Sequence, residues 1–473
     1  MREAAARFAS QLRSNGVSSG QPVAALVTSG PAAVAQMFGT WLFGSPYIPL
    51  NARLSNGEVL HLLGDTRPAV LVHQPGRDPI EQPHWATMIE TADLAWDFHD
   101  APDGQGGPYA DYPAGVAIVL RTSGTTGRPK AVVHTHMSML KSLDTVIGTI
   151  RRNASSASRD SAESATSTNL IPVSLALSAG IYNTLFAFRV SAAVVLMDRF
   201  STTETVWAVQ TFGIRSTVLA PAMISMLADD RSIASLEPLK VVRSITAPLR
   251  PSDARRFHDR FGVAVLNSYG QTELGGEVVG WTAQDWRQYR TTKLGAVGRA
   301  HDGVDLQVKD ASGRLLGPGE TGDVFVRSPY FIDDLANDES LRDRIENGYV
   351  RTGDIGHLDE DDFLWIDGRE SDMINRGGLK VMPDEVEEVL RQHPAVRDAC
   401  VAGIPDQRLG EVPHAWVVLD EPAIDPAVLA SWCREQLSPY KVPVGFSVIR
   451  EVPRSEVGKV LRQELVQARS NGE

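Results

Sequence analysis

Short apolar runs alternate with helix-period stretches over the first two thirds of the chain. Val23-Ala24-Ala25-Leu26-Val27, Ala69-Val70-Leu71-Val72 and Val116-Ala117-Ile118-Val119-Leu120 are continuous enough to be strands buried on both faces. Residues 32–43 read as a helix, and Ser55 stands three residues before Glu58, ahead of Val59, Leu62 and Leu63, which is the spacing of a capping box. Ala5, Phe8 and Leu12 put an apolar stripe along residues 1–13. Strands and helices in alternation predict parallel sheets covered by helices, an α/β fold.

The pattern continues past residue 130, where Met139, Leu140, Leu143, Val146 and Ile147 stand at helical spacing. Residues 151–169 lack any apolar period and predict an exposed, mobile loop. Residues 192–197 read as a buried strand, and residues 216–220 as a strand running into a helix that starts near Pro221. Beyond residue 320 the signals change character. Residues 322–327 alternate, residues 357–367 resemble a hairpin with an acidic tip, and Pro383 opens a helix with Val386, Val389 and Leu390 on one side. Two further strands, 396–404 and 415–419, and a helix capped by Asp425 complete a small α+β unit.

A chain of 473 residues exceeds what one simple core holds, so at least two domains are expected. Lys plus Arg is 46 against 58 for Asp plus Glu, a net charge of −12, which argues against nucleic acid as a main partner. Cys400 and Cys433 are the two cysteines and offer neither a disulfide framework nor a zinc site. No stretch approaches a membrane span, and residues 1–13 lack the apolar core of a signal peptide. A cytoplasmic protein is expected.

Chemistry concentrates in a few places. Thr122-Ser123-Gly124-Thr125-Thr126-Gly127-Arg128-Pro129-Lys130 follows an apolar strand and precedes a helix; its glycines free backbone N–H groups to turn toward an anion while hydroxyls add donors. This is not the loop of the P-loop NTPases, because no Gly-x-x-x-x-Gly-Lys-[Ser/Thr] can be written here. Farther on, Asn267-Ser268-Tyr269-Gly270-Gln271-Thr272-Glu273 offers a ring to stack on a purine, a hydroxyl for a phosphate and a carboxylate for a hard cation. The acidic tip at residues 359–362 lacks calcium spacing, and His134-Thr135-His136 has no assignable co-ligand, so neither is assigned a metal.

The two motifs, together with Pro453-Arg454-Ser455-Glu456-Val457-Gly458-Lys459 near the end, resemble those of the adenylate-forming superfamily, which includes acyl-CoA synthetases, adenylation domains and beetle luciferases. The likeness runs from about Phe8 to Leu465. Members of the superfamily usually carry a further segment ahead of the helix at Phe8, so the N-terminus is expected to be short; the likeness implies a large N-terminal domain over residues 1–368, and a small mobile C-terminal domain over residues 369–473 hinged at 369–371. It also implies that Thr122, Ser123, Gly124, Thr125, Thr126, Gly127 and Lys130 hold the β- and γ-phosphates of ATP. Thr246, Asn267, Tyr269 and Gly270 would line the nucleotide, Asp354 would accept from the ribose hydroxyls and Arg369 would reach ribose or phosphate. Thr272 would bond the α-phosphate, Glu273 would hold Mg2+, and Lys459 would serve the transferring group. Gly377 and Gly378 would line the path of coenzyme A.

Three positions depart from the superfamily's pattern: Leu175 where an aromatic or histidine is common, and Ile245 and Thr246 where two glycines are usual. The implied reaction has two halves. A carboxylic acid, in the first place a medium- or long-chain fatty acid and next an aryl acid, forms an acyl-adenylate, and CoA then takes the acyl group. An adenylating enzyme that serves a carrier protein or an amine, and a nucleotide-binding protein without catalysis, stand as alternatives. A homo-oligomer is allowed.

Overall fold

The apolar run at residues 23–27 is a strand with both faces covered. Val23, Ala25 and Val27 enter one core and Ala24 and Leu26 another, so the two-residue period of a strand feeds two layers of packing. The computed structural model describes residues 1–75, 86–90, 94–99, 107, 109–122, 130–153, 168–328, 330, 342–420, 424–455 and 459–470. The chain divides into two units, one comprising Met1–Leu294, His301–Val304 and Ser328–Ile345, the other Gly295–Ala300, Asp305–Arg327 and Glu346–Glu473.

The first sheet is built from α1 (Arg2–Ser14), β1 (Val23–Val27), α2 (Pro31–Phe43), β2 (Tyr47–Asn51), α3 (Asn56–Thr66), β3 (Val70–His73), β4 (Ala86–Glu90), β5 (Trp96–His99), β6 (Val116–Thr122) and β7 (Lys130–Thr135). Strand order is β5-β4-β3-β1-β2-β6-β7, parallel except at the two edge pairs β4/β5 and β6/β7. α1 and α2 cover one face; Gly39 of α2 lets them close in, because a Cβ there would stand 2.8 Å from Phe8. Phe8 meets Trp96 edge to face at 4.9 Å, and burying it contributes roughly 2–3 kcal/mol. α3 covers the other face and starts at the expected capping box, in which Ser55 and Glu58 each bond the other's backbone N–H.

A second sheet follows α4 (His136–Asn153). It comprises β8 (Thr168–Ile171), α5 (Ser178–Arg189), β9 (Ala193–Leu196), α6 (Thr202–Thr211), β10 (Ser216–Leu219), α7 (Pro221–Asp229), β11 (Val241–Ser244), α8 (Pro251–Phe261), β12 (Ala264–Gln271) and β13 (Gly276–Gly280). The order β13-β12-β11-β10-β8-β9 is parallel except for β12/β13. β9 corrects an expectation. Its residues are exposed or half-buried because it forms the edge of the sheet, where an apolar run is covered on one side at most. Residues 154–167, most of the expected loop, lie outside the described residues.

The second unit is largely antiparallel. Strands Asp305–Lys309, Gly322–Arg327, Tyr349–Leu358 and Leu364–Arg369 form one sheet, and the last two make the expected hairpin. Another sheet joins Ile374–Arg376, Leu379–Val381, Val396–Asp406, Gly410–Leu419 and Gly445–Val448. Helices Pro383–Arg391 and Pro426–Gln436 pack on it through Val386, Leu390, Leu429 and Cys433. Cys400 points to the other face, into a small cluster with Val418 and Val452. His414 is buried 2.9 Å from the Ser447 hydroxyl, and burial depresses its imidazole to about 4.

Candidate active site

Parallel strands of the second sheet end along one edge, the side on which open α/β sheets bind ligands. β11 ends at Ser244 and is followed by Ile245 and Thr246; its register partner on β12 is Asn267, which opens the Asn267 to Glu273 motif. The Ser268 hydroxyl donates to the Ser244 carbonyl at 2.9 Å, tying the two segments together. Thr246, Asn267, Tyr269 and Gly270 therefore stand on or just beyond neighbouring strand ends. Thr246 takes φ +77°, a left-handed conformation that is a genuine outlier for a β-branched residue. The backbone keeps a glycine's shape at a position that carries threonine.

Gly270 has a structural reason of its own. A Cβ there would lie 2.0 Å from the Gly276 carbonyl oxygen, across the irregular β12/β13 pairing. After Gln271 the chain tightens into a 3-10 turn, Thr272–Leu274. His134 Nε2 lies 2.8 Å from the Thr272 carbonyl, and since a carbonyl only accepts, Nε2 carries the proton. Sequence reasoning considered His134 only as a metal ligand; its work is to hold this turn. The Glu273 side chain is 18% exposed, with Arg344 Nη1 at 4.0 Å. A mostly buried carboxylate offers only oxygen acceptors, and Mg2+ keeps several waters while binding one or two carboxylates, so Glu273 fits the ion.

Thr122 ends β6 and Lys130 begins β7, facing each other as register partners. The intervening Ser123, Gly124, Thr125, Thr126 and Gly127 lie outside the described residues. A strand-to-helix loop was expected, and the structure corrects this: the loop joins two antiparallel strands, and α4 starts only after β7. Val132 and Val133 carry that extra strand, with Val132 buried and Val133 packed against the α3-side core.

A buried ion cluster that the sequence did not signal underlies this edge. Arg243 of β11 donates to Glu277 of β13, and His301 Nε2 lies 2.8 Å from the same carboxylate oxygen. Burial alone would push the Glu277 carboxyl up, but Arg243 and His301 hold it below its ordinary range. Next to it the Tyr182 ring packs on Gly276, where a Cβ would approach to 2.6 Å. A cavity beside Gly275 is lined by Ile118, Leu120, His134, Met139, Ile181 and Tyr182.

In the second unit two of the named residues pair with each other. Asp354 is buried on the strand Tyr349–Leu358, opposite Arg369, whose Nε donates to its Oδ1 at 3.0 Å. A carboxylate offers only acceptors, which suits a diol. Gly377 and Gly378 form the two-residue tip between Ile374–Arg376 and Leu379–Val381, with φ +61° and +90°, as a type I′ hairpin requires. A Cβ on Gly378 would meet nothing within 4 Å, so that face of the tip is open. Lys459 is exposed on a turn in which the Ser455 N–H donates to its carbonyl at 2.8 Å.

Comparison with known proteins decides the family. A profile described as AMP-binding enzyme matches residues 1–333, and one described as AMP-binding enzyme C-terminal domain matches residues 385–459. The chain belongs to the AMP-binding enzyme family. It is 30% identical over 476 residues to a 2-succinylbenzoate–CoA ligase of Bacillus licheniformis, covering 98% of this chain and 92% of that one. It is 30% identical over 468 residues to a feruloyl-CoA synthase of an Amycolatopsis species, covering 97% and 91%. Among solved structures, o-succinylbenzoate CoA synthetase from Bacillus subtilis, in complex with its acyl-adenylate intermediate, matches with a TM-score of 0.80 at 27% identity, covering 98% and 91%. The AMP-binding enzyme therefore has the large and small domains that the motifs implied, and it is an AMP-forming acid–thiol ligase that uses ATP, Mg2+ and CoA. Among the described residues, no helix is long and apolar enough to cross a membrane.

Proposed function

We propose that this ligase acts on a carboxylic acid with an apolar, preferentially aromatic, body, and that the residues named from the motifs carry the roles assigned to them. The observation that carries this reading is the strand-end edge of the second sheet, where Thr246, Asn267, Tyr269, Gly270, Thr272 and Glu273 stand together. Aromatic acids in the names of these relatives support the acid class.

In the first half-reaction the acid's carboxylate attacks the α-phosphorus of ATP, forming an acyl-phosphate bond and releasing pyrophosphate. Positioning and charge neutralisation supply the catalysis, with no protein nucleophile needed. Residues 122–130 would hold the β- and γ-phosphates, Tyr269 the purine, Asp354 the ribose, Thr272 the α-phosphate and Glu273 the Mg2+. The ion supplies charge neutralisation when bound. Lys459 would donate to the carboxylate and the α-phosphate. In the second half, the CoA thiolate attacks the acyl carbonyl and AMP leaves, with Gly377 and Gly378 beside the incoming thiol. We further propose the chain division at 368/369, with the hinge at residues 369–371, and a cytoplasmic location, which two free, buried thiols suit.

ATP–pyrophosphate exchange over a panel of fatty, aryl and amino acids, repeated with CoA and thioester detection, tests the proposal. Exchange driven by aryl acids with thioester formation is expected. Exchange without thioester would point to a carrier or amine acceptor, and preference for aliphatic acids would overturn the acid class.

A further inference from the structure

The turn that carries Lys459 is fastened at both ends by arginines seated on acids. Besides the Ser455 to Lys459 bond, the Lys459 N–H donates to Ser455 Oγ at 3.2 Å, Leu461 N–H donates to the Pro453 carbonyl at 2.9 Å, and Arg454 and Val460 form an antiparallel bridge. On the upstream side, Arg454 Nη2 donates to Asp398 Oδ2 at 2.6 Å. On the downstream side, Arg462 donates to Asp384 at 2.5 Å, Glu387 at 2.8 Å, Asp372 at 3.3 Å and the Val401 carbonyl at 3.2 Å. Arg391 links the two anchorages, donating to Glu387 at 2.8 Å and to Asp398 at 3.0 Å.

Asp372, Arg462, Glu387, Arg391, Asp398 and Arg454 thus form one continuous ladder of charge-assisted hydrogen bonds beneath the turn. Its centre is well buried: Glu387 is 3% exposed, Arg391 13% and Arg462 15%. Buried ion pairs add little stability over an apolar core of the same volume, and their best-attested use is to fix a geometry. Val460, next to the lysine, packs against the Cys400, Val418 and Val452 cluster and adds an apolar anchor. A lysine side chain has four rotatable bonds, so its ammonium reaches a defined point only if its backbone is fixed.

We propose that Arg454 and Arg462 are positioning residues for Lys459, clamping both feet of its turn to the Glu387–Arg391–Asp398 core. The inference rests on the adenylation role proposed for Lys459. Asp372 lies directly after the proposed hinge residues, so Arg462 also makes the lysine turn and the post-hinge segment one rigid body.

The test uses full-length Arg454→Met, Arg454→Lys and Arg462→Lys beside Lys459→Ala. Three quantities are measured: pyrophosphate exchange, thioester formation from a preformed acyl-adenylate and CoA, and backbone hydrogen exchange over residues 453–461 in the ligand-free protein. Arg454→Met should lower kcat of exchange on the order of ten- to a hundred-fold with KM little changed, as expected for a misplaced group. Thioester formation should persist, and the Ser455, Lys459 and Leu461 amides should exchange faster. Arg454→Lys, which can still reach Asp398, should recover part of the loss. Asp398 keeps Arg391 in these variants, and should Arg462→Lys fail to fold, Arg454→Met decides. Equal loss of both half-reactions, or no loss in Arg454→Met while Lys459→Ala loses exchange selectively, would overturn the clamp alone. Lys459→Ala without selective loss would overturn the role of the lysine, and the clamp with it.

Discussion

Thr246 sits in a backbone conformation that costs an L-residue about 1–2 kcal/mol, beside the motif assigned to the nucleotide. Strain of this kind clusters at functional sites. Lys459→Ala should abolish exchange while a preformed adenylate is still thioesterified; equal loss of both steps would contradict its role. Gly378→Leu should spare exchange and block transfer to CoA, because the open face of the tip then carries a bulky side chain. Gly378→Asn, which tolerates φ +90°, separates that block from backbone strain. If Gly378→Leu lowers exchange as much as transfer, the tip does not line the thiol's path. At this scale the candidate site could be proposed from sequence wherever its chemistry is carried by consecutive residue types, as at Asn267 to Glu273, which ends a strand and enters a 3-10 turn. The Arg243, Glu277 and His301 cluster was not, because its members stand 34 and 24 positions apart and meet only through strand register.

Elements were legible where an apolar run is covered on both faces or a cap is spelled out, as at β1, β3 and α3. They were misread where position in the sheet decides exposure. β9 carries a core-like run yet forms an edge, and β7 was hidden between a recognisable loop and a recognisable helix. The cluster that joins β11 to β13 makes a prediction about elements. Arg243→Met leaves the Glu277 carboxylate buried without its guanidinium and should destabilise the first unit by roughly 3–5 kcal/mol in urea unfolding. Adding Glu277→Leu should recover most of that. A double variant as unstable as the single one would mean that packing, not charge, holds the hairpin.

For the whole molecule, the change from parallel to antiparallel sheets beyond residue 300 was foreseeable from alternation at residues 322–327 and the hairpin at 357–367. How the strands of residues 305–369 group with those of the last hundred residues was not, since contacts so distant in sequence leave no local signal. A pH dependence follows from His414. Its imidazole titrates at 6.5 when exposed and at about 4 when buried, so the unfolded chain takes up a proton that the folded chain refuses. This contribution is full above pH 6.5 and drains away as pH falls toward 4. Urea midpoints measured from pH 7 to 4 should fall less steeply in His414→Gln than in the parent; parallel curves would remove His414 as the cause.

The two cysteines give this molecule a pair of clocks. Burial pushes the Cys400 thiol up to about 12 and the Cys433 thiol up to about 11, so neither presents a thiolate to a reagent until something opens. Cys433 lies in the main core of the second unit and Cys400 under Val460, at the foot of the Lys459 turn. Disulfide reagents should therefore be silent toward the native protein, and the order in which the two sulfurs are titrated should time two different events. Faster modification of Cys400 would count how often the lysine turn lifts from an otherwise intact unit; equal rates would mean that turn and unit open together.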